Sequence, residues 1–444
     1  MLIAFYTSII TKRVRYIFEF MFSQLIISDY QLFDDFDEFE RSEGVKFVYD
    51  KSPHGDYPFI YEKDIMLNHD IFEVPIVADV VDGVHLIFAH NKSASILNFD
   101  PFAASFYMIT RYEEYLIHTR DKHHRYNFSN SIAYINGFID VPIVHLWAKM
   151  LENKIISIYP ECKFKHPVYR FLPTIDVDLA YEYINKGFVR TNGGVVKSLF
   201  SGDFAVFKER IAVILRLKKD PYDTFDHILE IKKKYNLKMV FFFLMASYGE
   251  HDKSNLVFNK NFRCLIRHVY DYADVGIHPS YYSMDYPDLI DKEKTILEKI
   301  LHSKVTKSRQ HFLRFEVPST YQDLSDCEVT EDYSMGYAGS TGFRAGVCVP
   351  FKFFNLKTNE ETKLTVFPVS VMDATLFNYL KLDYTNALLE ITRIANLIKK
   401  YNGVFIPLWH NSSLSAKGIW KNRKNLFKEL IEIGIDNDNT PKTQ

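Results

Sequence analysis

Two aspartates separated by a single residue are the pair in this sequence best suited to chemistry. Asp176 and Asp178 end an apolar run that begins at Tyr169. Side chains two residues apart in an extended chain lie on one face, so both carboxylates would point the same way. A cation or a shared proton relieves the repulsion between them. We therefore predict that one carboxylate binds a divalent metal and the other acts as a base, with a turn or helix-cap pair as the structural alternative.

Three histidines stand at similar places further along the chain. His278 and His410 each follow an apolar run, and His311 lies in the segment Ser-Arg-Gln-His-Phe. Two imidazoles and a carboxylate make a three-ligand zinc-type site with a position left for water. We predict His278 and His311 as metal ligands and His410 as a group that exchanges a proton near neutral pH. For each histidine, a hydrogen-bonded structural role is the alternative.

Further charged residues could support such a site. Asp373 is a candidate partner that would orient His410 and raise its pKa, and a helix N-cap is its alternative. Arg309 and Arg344 are each close in sequence to other candidates, and either could hold Asp176 as a carboxylate. The doublet His123-His124 lies in a charged stretch and is predicted to be solvated surface.

The elements that must position these residues change character along the chain. From residue 169, strands alternate with helices, which is typical of a parallel α/β arrangement. The candidate residues lie at or just beyond the C-terminal ends of predicted strands. In barrel-like folds, the loops that follow these strand ends converge. Helices are predicted over 220–235, 287–302 and 384–400. The long connection 181–219 is interpreted either as a substrate lid or as a packed extra helix.

The first 160 residues contain no strong chemical motif. The patterns predict a strand over 2–9, a hairpin in 72–98 that turns at Asp82-Gly83, and helices over 11–27, 102–117 (capped by Asp100) and 142–157. The polar segment 160–167 is predicted to separate two domains, residues 1–160 and residues 165–435. A disordered tail is predicted over 436–444.

Length and charge narrow the function classes. A chain of 444 residues exceeds one ordinary core, which favours two domains. The 54 basic and 56 acidic residues nearly cancel, so we expect no nucleic-acid partner. Charged residues interrupt the apolar stretch 13–27, so we expect no membrane span and a cytoplasmic protein. The 16% aromatic content fits either packed cores or a sugar-binding groove.

Four motifs stand in the order found in the polysaccharide deacetylase family (NodB-like, carbohydrate esterase family 4), which the chain resembles over roughly 165–435. They are Thr174–Asp178, Val240–Leu244, Gly276–His278 and Ile406–His410. The segment 331–351 resembles a subgroup found in bacterial surface-polysaccharide gene clusters. The first 160 residues resemble an uncharacterised domain that precedes this catalytic domain in some bacterial proteins.

The resemblance implies a distorted (β/α)7 barrel preceded by a smaller α/β domain, and a hydrolase that uses a zinc-type ion. It implies Asp176 as the base, Asp178 and His278 as metal ligands, and His410 as the general acid. The arginine beside the base matches Arg309 by order or Arg344 by its Phe-Arg context. The implied reaction is water attack on the N- or O-acetyl carbonyl of an amino sugar or glycan, with release of acetate.

The sequence departs from the family pattern at three places. Val177 separates the two aspartates, the Arg-x-Pro-Tyr motif is missing, and Tyr282 stands where the second histidine of the family's His-x-x-x-His should be. We predict that His311 replaces that histidine. The alternative function is a catalytically decayed domain that acts as a carbohydrate-binding or scaffolding protein. Cleavage of another C–N bond is a further reading.

Overall fold

The computed structural model describes residues 2–76, 78–200, 203–415, 417–423 and 425–435, with residues 188 and 189 described by their backbone only. The predicted tail over 436–444 lies outside these residues. None of the helices in the described ranges is long and apolar enough to cross a lipid bilayer.

The N-terminal region is built on a small parallel sheet. Its strands are β1 (Ile3–Tyr6), β2 (Tyr30–Phe33), β3 (Val45–Asp50) and β4 (Phe59–Tyr61), in the order β2-β1-β3-β4. A separate antiparallel hairpin contains β5 (Asp79–Val81) and β6 (Val84–Leu86). The hairpin predicted at Asp82-Gly83 is thus confirmed, although it is much shorter than the segment 72–98.

Helices pack around this sheet and broadly follow the apolar periodicity. They are α1 (Lys12–Phe20), α2 (Phe36–Arg41), α3 (Pro101–Ile109), α4 (Ile132–Ile135) and α5 (Ile143–Ile158). Thr11 caps α1 by accepting a hydrogen bond from the backbone N–H of Val14, and a π-helical turn continues the helix to Leu25. Asp100 caps α3 as predicted, by accepting from the N–H groups of Phe102 and Ala103.

The predicted extension of α3 to residue 117 is wrong, because the helix ends at Ile109. Arg111 adopts a left-handed backbone conformation with a φ of 55°, which a right-handed helix cannot accommodate. Its guanidinium is buried between the carboxylates of Glu113 and Glu114. The ion pairs therefore hold the chain in a turn where the apolar pattern continued.

The C-terminal region is organised around a nine-stranded, mostly parallel sheet. Its strands, from one edge to the other, are β13 (Phe351–Asn355), β14 (Glu360–Val366), β12 (Glu331–Asp332), β11 (Lys307–Ser308), β10 (Asp274–His278), β9 (Val240–Leu244), β8 (Thr174–Val177), β17 (Pro407–His410) and β15 (Val371–Met372). A separate pair contains β7 (Arg170–Phe171) and β16 (Val404–Phe405). The predicted parallel α/β core is confirmed. Among the described strands no ladder joins β13 to β15, so closure into a seven-stranded barrel stays a prediction.

Helices cover this sheet. They are α6 (Phe188–Phe200), α7 (Phe204–Ile214), α8 (Phe225–Lys234), α9 (Lys260–Tyr270), α10 (Asp288–Leu301), α11 (Ser319–Asp326), α12 (Tyr384–Lys400) and α13 (Leu426–Ile435). The connection 181–219 is thus largely helical. The predicted start of α8 at Asp220 is wrong, because that carboxylate accepts from the N–H groups of Glu182 and Tyr183 instead of capping the helix.

Hydrophobic clusters, two of them large, support the two regions. In the C-terminal region, Phe241 and Phe243 of β9 face one cluster while Val240 and Phe242 face another, so this strand is buried on both faces, as parallel strands commonly are. The N-terminal cluster extends beyond residue 160 and includes side chains from the segment 315–366. The two regions therefore share one hydrophobic core, and their division into separate domains stays a prediction.

Candidate metal centre

The candidate residues meet at the carboxyl-terminal edge of the parallel sheet. The register of β8 and β17 pairs Asp176 with His410, and Asp178 follows directly after β8. His278 is the last residue of β10, and His311 comes three residues after β11. Because parallel strands end at a common edge, residues from distant parts of the sequence converge there.

Asp178, His278 and His311 form a group that could hold a metal ion. One ligand atom from each lies within 4.8 Å of the other two. Nε2 of His278 is 3.2 Å from Oδ1 of Asp178, and Nε2 of His311 is 3.6 Å from Oδ2 of the same carboxylate. Both rings are buried, whereas the Asp178 side chain is 33% exposed and lines a pocket. Two imidazoles and one carboxylate are a donor set suited to zinc.

Oxygen acceptors fix both ligand rings through Nδ1. Nδ1 of His278 donates to the backbone carbonyl of Arg309, and Nδ1 of His311 donates to Oδ1 of Asp252 over 2.8 Å. A carbonyl oxygen and a carboxylate oxygen can only accept, so each Nδ1 carries the hydrogen. Each Nε2 is therefore turned toward Asp178 and left to bind a metal or a second proton.

The unpaired atoms at the centre of this group fit a cation. Oδ1 of Asp178 is buried and receives no hydrogen bond from the described residues, although Nε2 of His278 is near. A nitrogen lone pair and a carboxylate oxygen repel each other unless positive charge lies between them. A divalent cation would supply that charge, and the residues present therefore suit a zinc-type ion.

A proton on His311 can substitute for the metal. Burial works to lower the pKa of His311, but the carboxylates of Asp178 and Asp252 overcome it and raise the pKa to about 9. Burial likewise works to raise the pKa of Asp178, yet His311 and His410 hold it well below its usual range. At neutral pH a metal must therefore displace a proton, so that metal affinity rises with pH.

Tyr282, at the position of the family's second histidine, does not join the group. It lies in a short helical turn after β10 and is 36% exposed. His311, which follows the next strand of the sheet (β11), places its Nε2 near Asp178 instead. The position of His311 is thus compatible with the predicted replacement of the missing histidine. Its role as a metal ligand remains a proposal.

Arg309 is the arginine that contacts Asp176. Its Nη1 donates to Oδ1 of Asp176 over 2.8 Å, and its Nε donates to the backbone carbonyl of Tyr333. The guanidinium also lies over the ring of Phe242, with 4.6 Å between Cζ and the ring centroid. Both Arg309 and Asp176 are almost fully buried. Oδ2 of Asp176 is left without this partner and lies 3.6 Å from Nε2 of His278.

Arg344 lies away from Asp176, in a second group of buried charges that joins the two regions. Its Nε and Nη2 donate to the two carboxylate oxygens of Glu114 over 2.9 and 2.6 Å. Arg111 binds the same carboxylate and also that of Glu113. We call these four residues the inter-region cluster. The structure brings Arg309, and not Arg344, to the candidate base.

His410 is tied to Asp373, as the sequence predicted. Its Nδ1 donates to Oδ1 of Asp373 over 2.7 Å, and its backbone N–H donates to Oδ2. The hydroxyl of Ser413 donates to the same Oδ2. Nε2 of His410 then points into the pocket, 3.8 Å from Oδ2 of Asp178. Burial works to lower the pKa of His410, but Asp373 and Asp178 raise it to about 10.

A pocket of about 270 Å³ opens onto these groups. Apolar and aromatic side chains also line it: Phe312, Leu313, Met372, Leu408 and Trp420. Arg125 and Tyr379 also reach this pocket. The combination of a few converging polar groups and an apolar wall is typical of a small-molecule site.

Sequence reasoning missed Asp252 and Arg125. Asp252 lies in the loop after β9, and the polar stretch Gly249–Asp252 at the end of an apolar strand is the signal that could have identified it. Arg125 belongs to the charged stretch that was predicted to be solvated surface. His124 there is exposed, whereas Arg125 is buried against the C-terminal region.

A model described as a family of unknown function (DUF7033) matches residues 3–160, which is less than half of the chain. No curated protein matches the sequence.

Solved structures with similar folds share little sequence with this chain. A Mycobacterium smegmatis protein provisionally named a polysaccharide deacetylase is 13% identical, with 61% of this chain and 86% of that chain covered and a TM-score of 0.40. A CE4 family pseudoenzyme from Bacillus anthracis is 15% identical, with 61% and 63% covered and a TM-score of 0.32. A polysaccharide deacetylase from Bacillus cereus is 12% identical, with 61% and 89% covered and a TM-score of 0.28. At such TM-scores the case for function depends on the geometry of this chain itself.

Proposed function

We propose that this protein is a metal-dependent hydrolase that removes an acetyl or similar acyl group from an amino sugar or glycan. The observation that carries the proposal is the direction of three imidazoles. Nε2 atoms of His278, His311 and His410 all face the carboxylate of Asp178, at 3.2, 3.6 and 3.8 Å. Each ring is fixed through Nδ1, so the three nitrogens are aimed before any ligand arrives.

Within this proposal, Asp178, His278 and His311 hold the metal, and zinc is the ion best suited to them. When bound, such an ion polarises an acyl carbonyl and lowers the pKa of a water molecule toward roughly 7. The catalytic region is taken to be residues 165–435, folded as a distorted (β/α) barrel whose mouth is the edge described above. The first 160 residues form the second region.

Two further residues would move protons. Asp176 is the proposed base, because Arg309 occupies Oδ1 while Oδ2 remains able to accept a proton from water. His410 is the proposed acid. Its raised pKa keeps Nε2 protonated at neutral pH, and Asp373 aims that proton into the pocket, where it can pass to the departing nitrogen or oxygen.

The proposal is tested by metal content and acetate release together. The full-length protein is loaded with zinc, and its metal is counted by plasma mass spectrometry. Acetate release is then measured on N-acetylated and O-acetylated sugars. We expect one ion per chain, and loss of both the ion and the acetate signal in H278A and in H311A. H251A is the matched control, since His251 lies nearby but outside the metal group.

A folded wild-type protein that takes up no zinc, manganese, cobalt or nickel would refute the proposal. Metal uptake with sugar binding but without acetate release would instead favour a carbohydrate-binding protein on a decayed catalytic domain. Release of ammonia or ring opening of a cyclic amide would point to another C–N bond.

A further inference from the structure

A second cavity adjoins the metal pocket. It has a volume of about 220 Å³ and shares four lining residues with that pocket: Arg125, Leu313, Ala338 and Tyr379. Each cavity alone is smaller than the roughly 300–1,000 Å³ of typical small-molecule sites, whereas the two together fall within that range. The four shared residues make the two cavities direct neighbours. We call the second cavity the outer compartment.

The N-terminal region supplies six of the thirteen residues that line the outer compartment. Residues 121–128 form one of its sides. Arg125 anchors this segment: its Nε donates to Asp121 and its Nη1 to the backbone carbonyl of Phe312, both over 2.7 Å. Its Nη2 reaches the hydroxyl of Tyr379 at 3.3 Å. The side chain of Arg125 is only 7% exposed, so the segment is fixed to the catalytic region at the boundary between the compartments.

The lining of the outer compartment suits an uncharged polar ring. Its two arginines are neutralised within the protein, Arg125 by Asp121 and Arg344 by Glu114. The rest of the lining is mostly aromatic, hydroxyl and amide surface from Tyr126, Asn127, Phe128 and Tyr337, together with the exposed side chain of Lys122. Aromatic faces with a few hydrogen-bonding groups suit a ring that has an apolar face and hydroxyl groups at its edge.

Close packing shapes this wall. The ring of Phe128 lies 6.2 Å from that of Tyr337, and it contacts Tyr134 edge-on at 5.1 Å. A Cβ atom at Gly339 would come within 2.8 Å of Phe128, so glycine permits the ring to lie against that backbone. Tyr134 supports Phe128 without lining the compartment.

Building on the proposed function, we propose that the N-terminal region completes the substrate site. The acetylated ring of a carbohydrate chain occupies the metal pocket, and the neighbouring ring occupies the outer compartment, against Phe128 and Asn127. The N-terminal region thereby selects chains of two or more rings over single sugars.

The test is a pair of affinities measured by calorimetry on the full-length, metal-free protein. The probes are N-acetylglucosamine and its β-1,4-linked dimer. We expect the dimer to bind about tenfold more tightly, which corresponds to about 1.4 kcal/mol. F128A should abolish this preference. F258A, the matched control, removes an exposed phenyl ring that lines neither compartment and should preserve the preference.

A second variant guards against a folding defect in F128A. N127W fills the outer compartment instead of removing its wall, and it should also equalise the two affinities. Equal affinity of the wild-type protein for monomer and dimer, or binding of neither, would overturn the proposal. A preference unchanged in both F128A and N127W would overturn it as well. These affinities are measured without metal, so they do not depend on catalysis. A protein that prefers the dimer but releases no acetate would therefore contradict the proposed function alone.

Discussion

The candidate metal centre and the inter-region cluster both contain a buried carboxylate beside a buried arginine, yet their polar atoms are satisfied in different ways. In the inter-region cluster, all four carboxylate oxygens of Glu113 and Glu114 accept a hydrogen bond, from Arg111, Arg344 and the backbone of Ile132. In the metal centre, Oδ1 of Asp178 and Nη2 of Arg309 are buried without a hydrogen-bond partner among the described residues.

The difference distinguishes charged groups that stabilise the fold from charged groups whose buried atoms remain able to bind a ligand. In a buried ion pair whose oxygens all accept hydrogen bonds, each charge is already compensated within the protein, and loss of one partner leaves the other charge buried without compensation. Buried atoms without partners cost free energy unless something else completes them. Sequence order favoured Arg309 and the Phe-Arg context favoured Arg344. Their contacts distinguish them, because Arg309 donates to Asp176 and Arg344 donates to Glu114.

Loss of Glu114 should produce the largest effect. E114A leaves Arg111 and Arg344 buried together without their shared counter-charge, so we expect the free energy of unfolding to fall by about 3–5 kcal/mol. Urea unfolding monitored by circular dichroism measures it. E316A is the control, because Glu316 forms a half-exposed pair with Arg120 and should cost at most about 1 kcal/mol. Equal losses in the two variants would mean that the inter-region cluster stabilises the fold no more than an exposed ion pair does.

The pH dependence of stability should distinguish the clusters in metal-free protein. Arg344 and Arg111 outweigh the effect of burial and lower the pKa of Glu114 to about 2, below its unfolded value of about 4.3. Stability from Glu114 is therefore present above pH 4.3 and lost as the pH falls toward 2. The raised pKa of His311, about 9, gives stability that is present below about 6.5 and lost as the pH rises through 9.

Each of these effects is on the order of 3 kcal/mol at most, since one pKa unit corresponds to about 1.4 kcal/mol. Urea midpoints recorded from pH 2 to 10 with a chelator would measure both. Saturating zinc should reduce the alkaline loss, because the ion replaces the proton on His311. It should leave the acid loss unchanged, and also the part of the alkaline loss that comes from His410, whose pKa is raised to about 10. A stability that stays flat between pH 6.5 and 9 without metal would contradict the contact between His311 and Asp178.

Removal of the charge behind a ligand should have an intermediate effect. D252N keeps an oxygen near Nδ1 of His311 but loses the negative charge, so we expect metal affinity to fall by about 10- to 100-fold. Competition with a chromogenic chelator measures the affinity. D285N is the matched control, because Asp285 pairs with Arg314 outside the metal group. An unchanged affinity in D252N would mean that His311 is not held as a ligand.

The smallest effect is expected at Ser413. Its hydroxyl donates to Oδ2 of Asp373, and S413A removes this one hydrogen bond from the carboxylate that orients His410. We expect a loss of about 1 kcal/mol in stability and a shift of the alkaline limb of the kcat profile to higher pH, as Asp373 becomes a stronger partner for the imidazolium. A pH profile identical to that of the wild-type protein would argue against Asp373 as the group that tunes the acid.

Local patterns in the sequence predicted much of the fold. The helix over 384–400 is found as predicted, capped by Asp383, and the strand that leads into Asp176 is also present. Both depend on neighbours within a few residues. Failures came where distant contacts override local preference: α3 stops at Ile109 because Arg111 turns to meet buried carboxylates, and Asp220 serves the backbone of residues 182–183.

The candidate site shows the same limit. Hydrophobic periodicity is a local signal, so it predicted the strands. The ends of those strands in turn predicted where Asp178, His278 and His410 lie. The choice between Arg309 and Arg344 could not be made locally, since the partner of Arg344 is Glu114, 230 residues earlier. The orientation of His311 depends on Asp252, 59 residues away, and no local pattern links the two.

The hydrophobic core that the N-terminal region shares with the segment 315–366 bears on how this protein can be handled. Phe353, Phe354 and Leu364 pack in the same cluster as Phe5 and Phe106. Expression of residues 165–435 alone would expose to water the apolar side chains of segment 315–366 that pack against the N-terminal region. Exposed apolar surfaces of this kind promote aggregation. Truncated forms are therefore poor material for crystallisation or assay, and the intact chain is the smallest unit that we expect to stay monodisperse in solution.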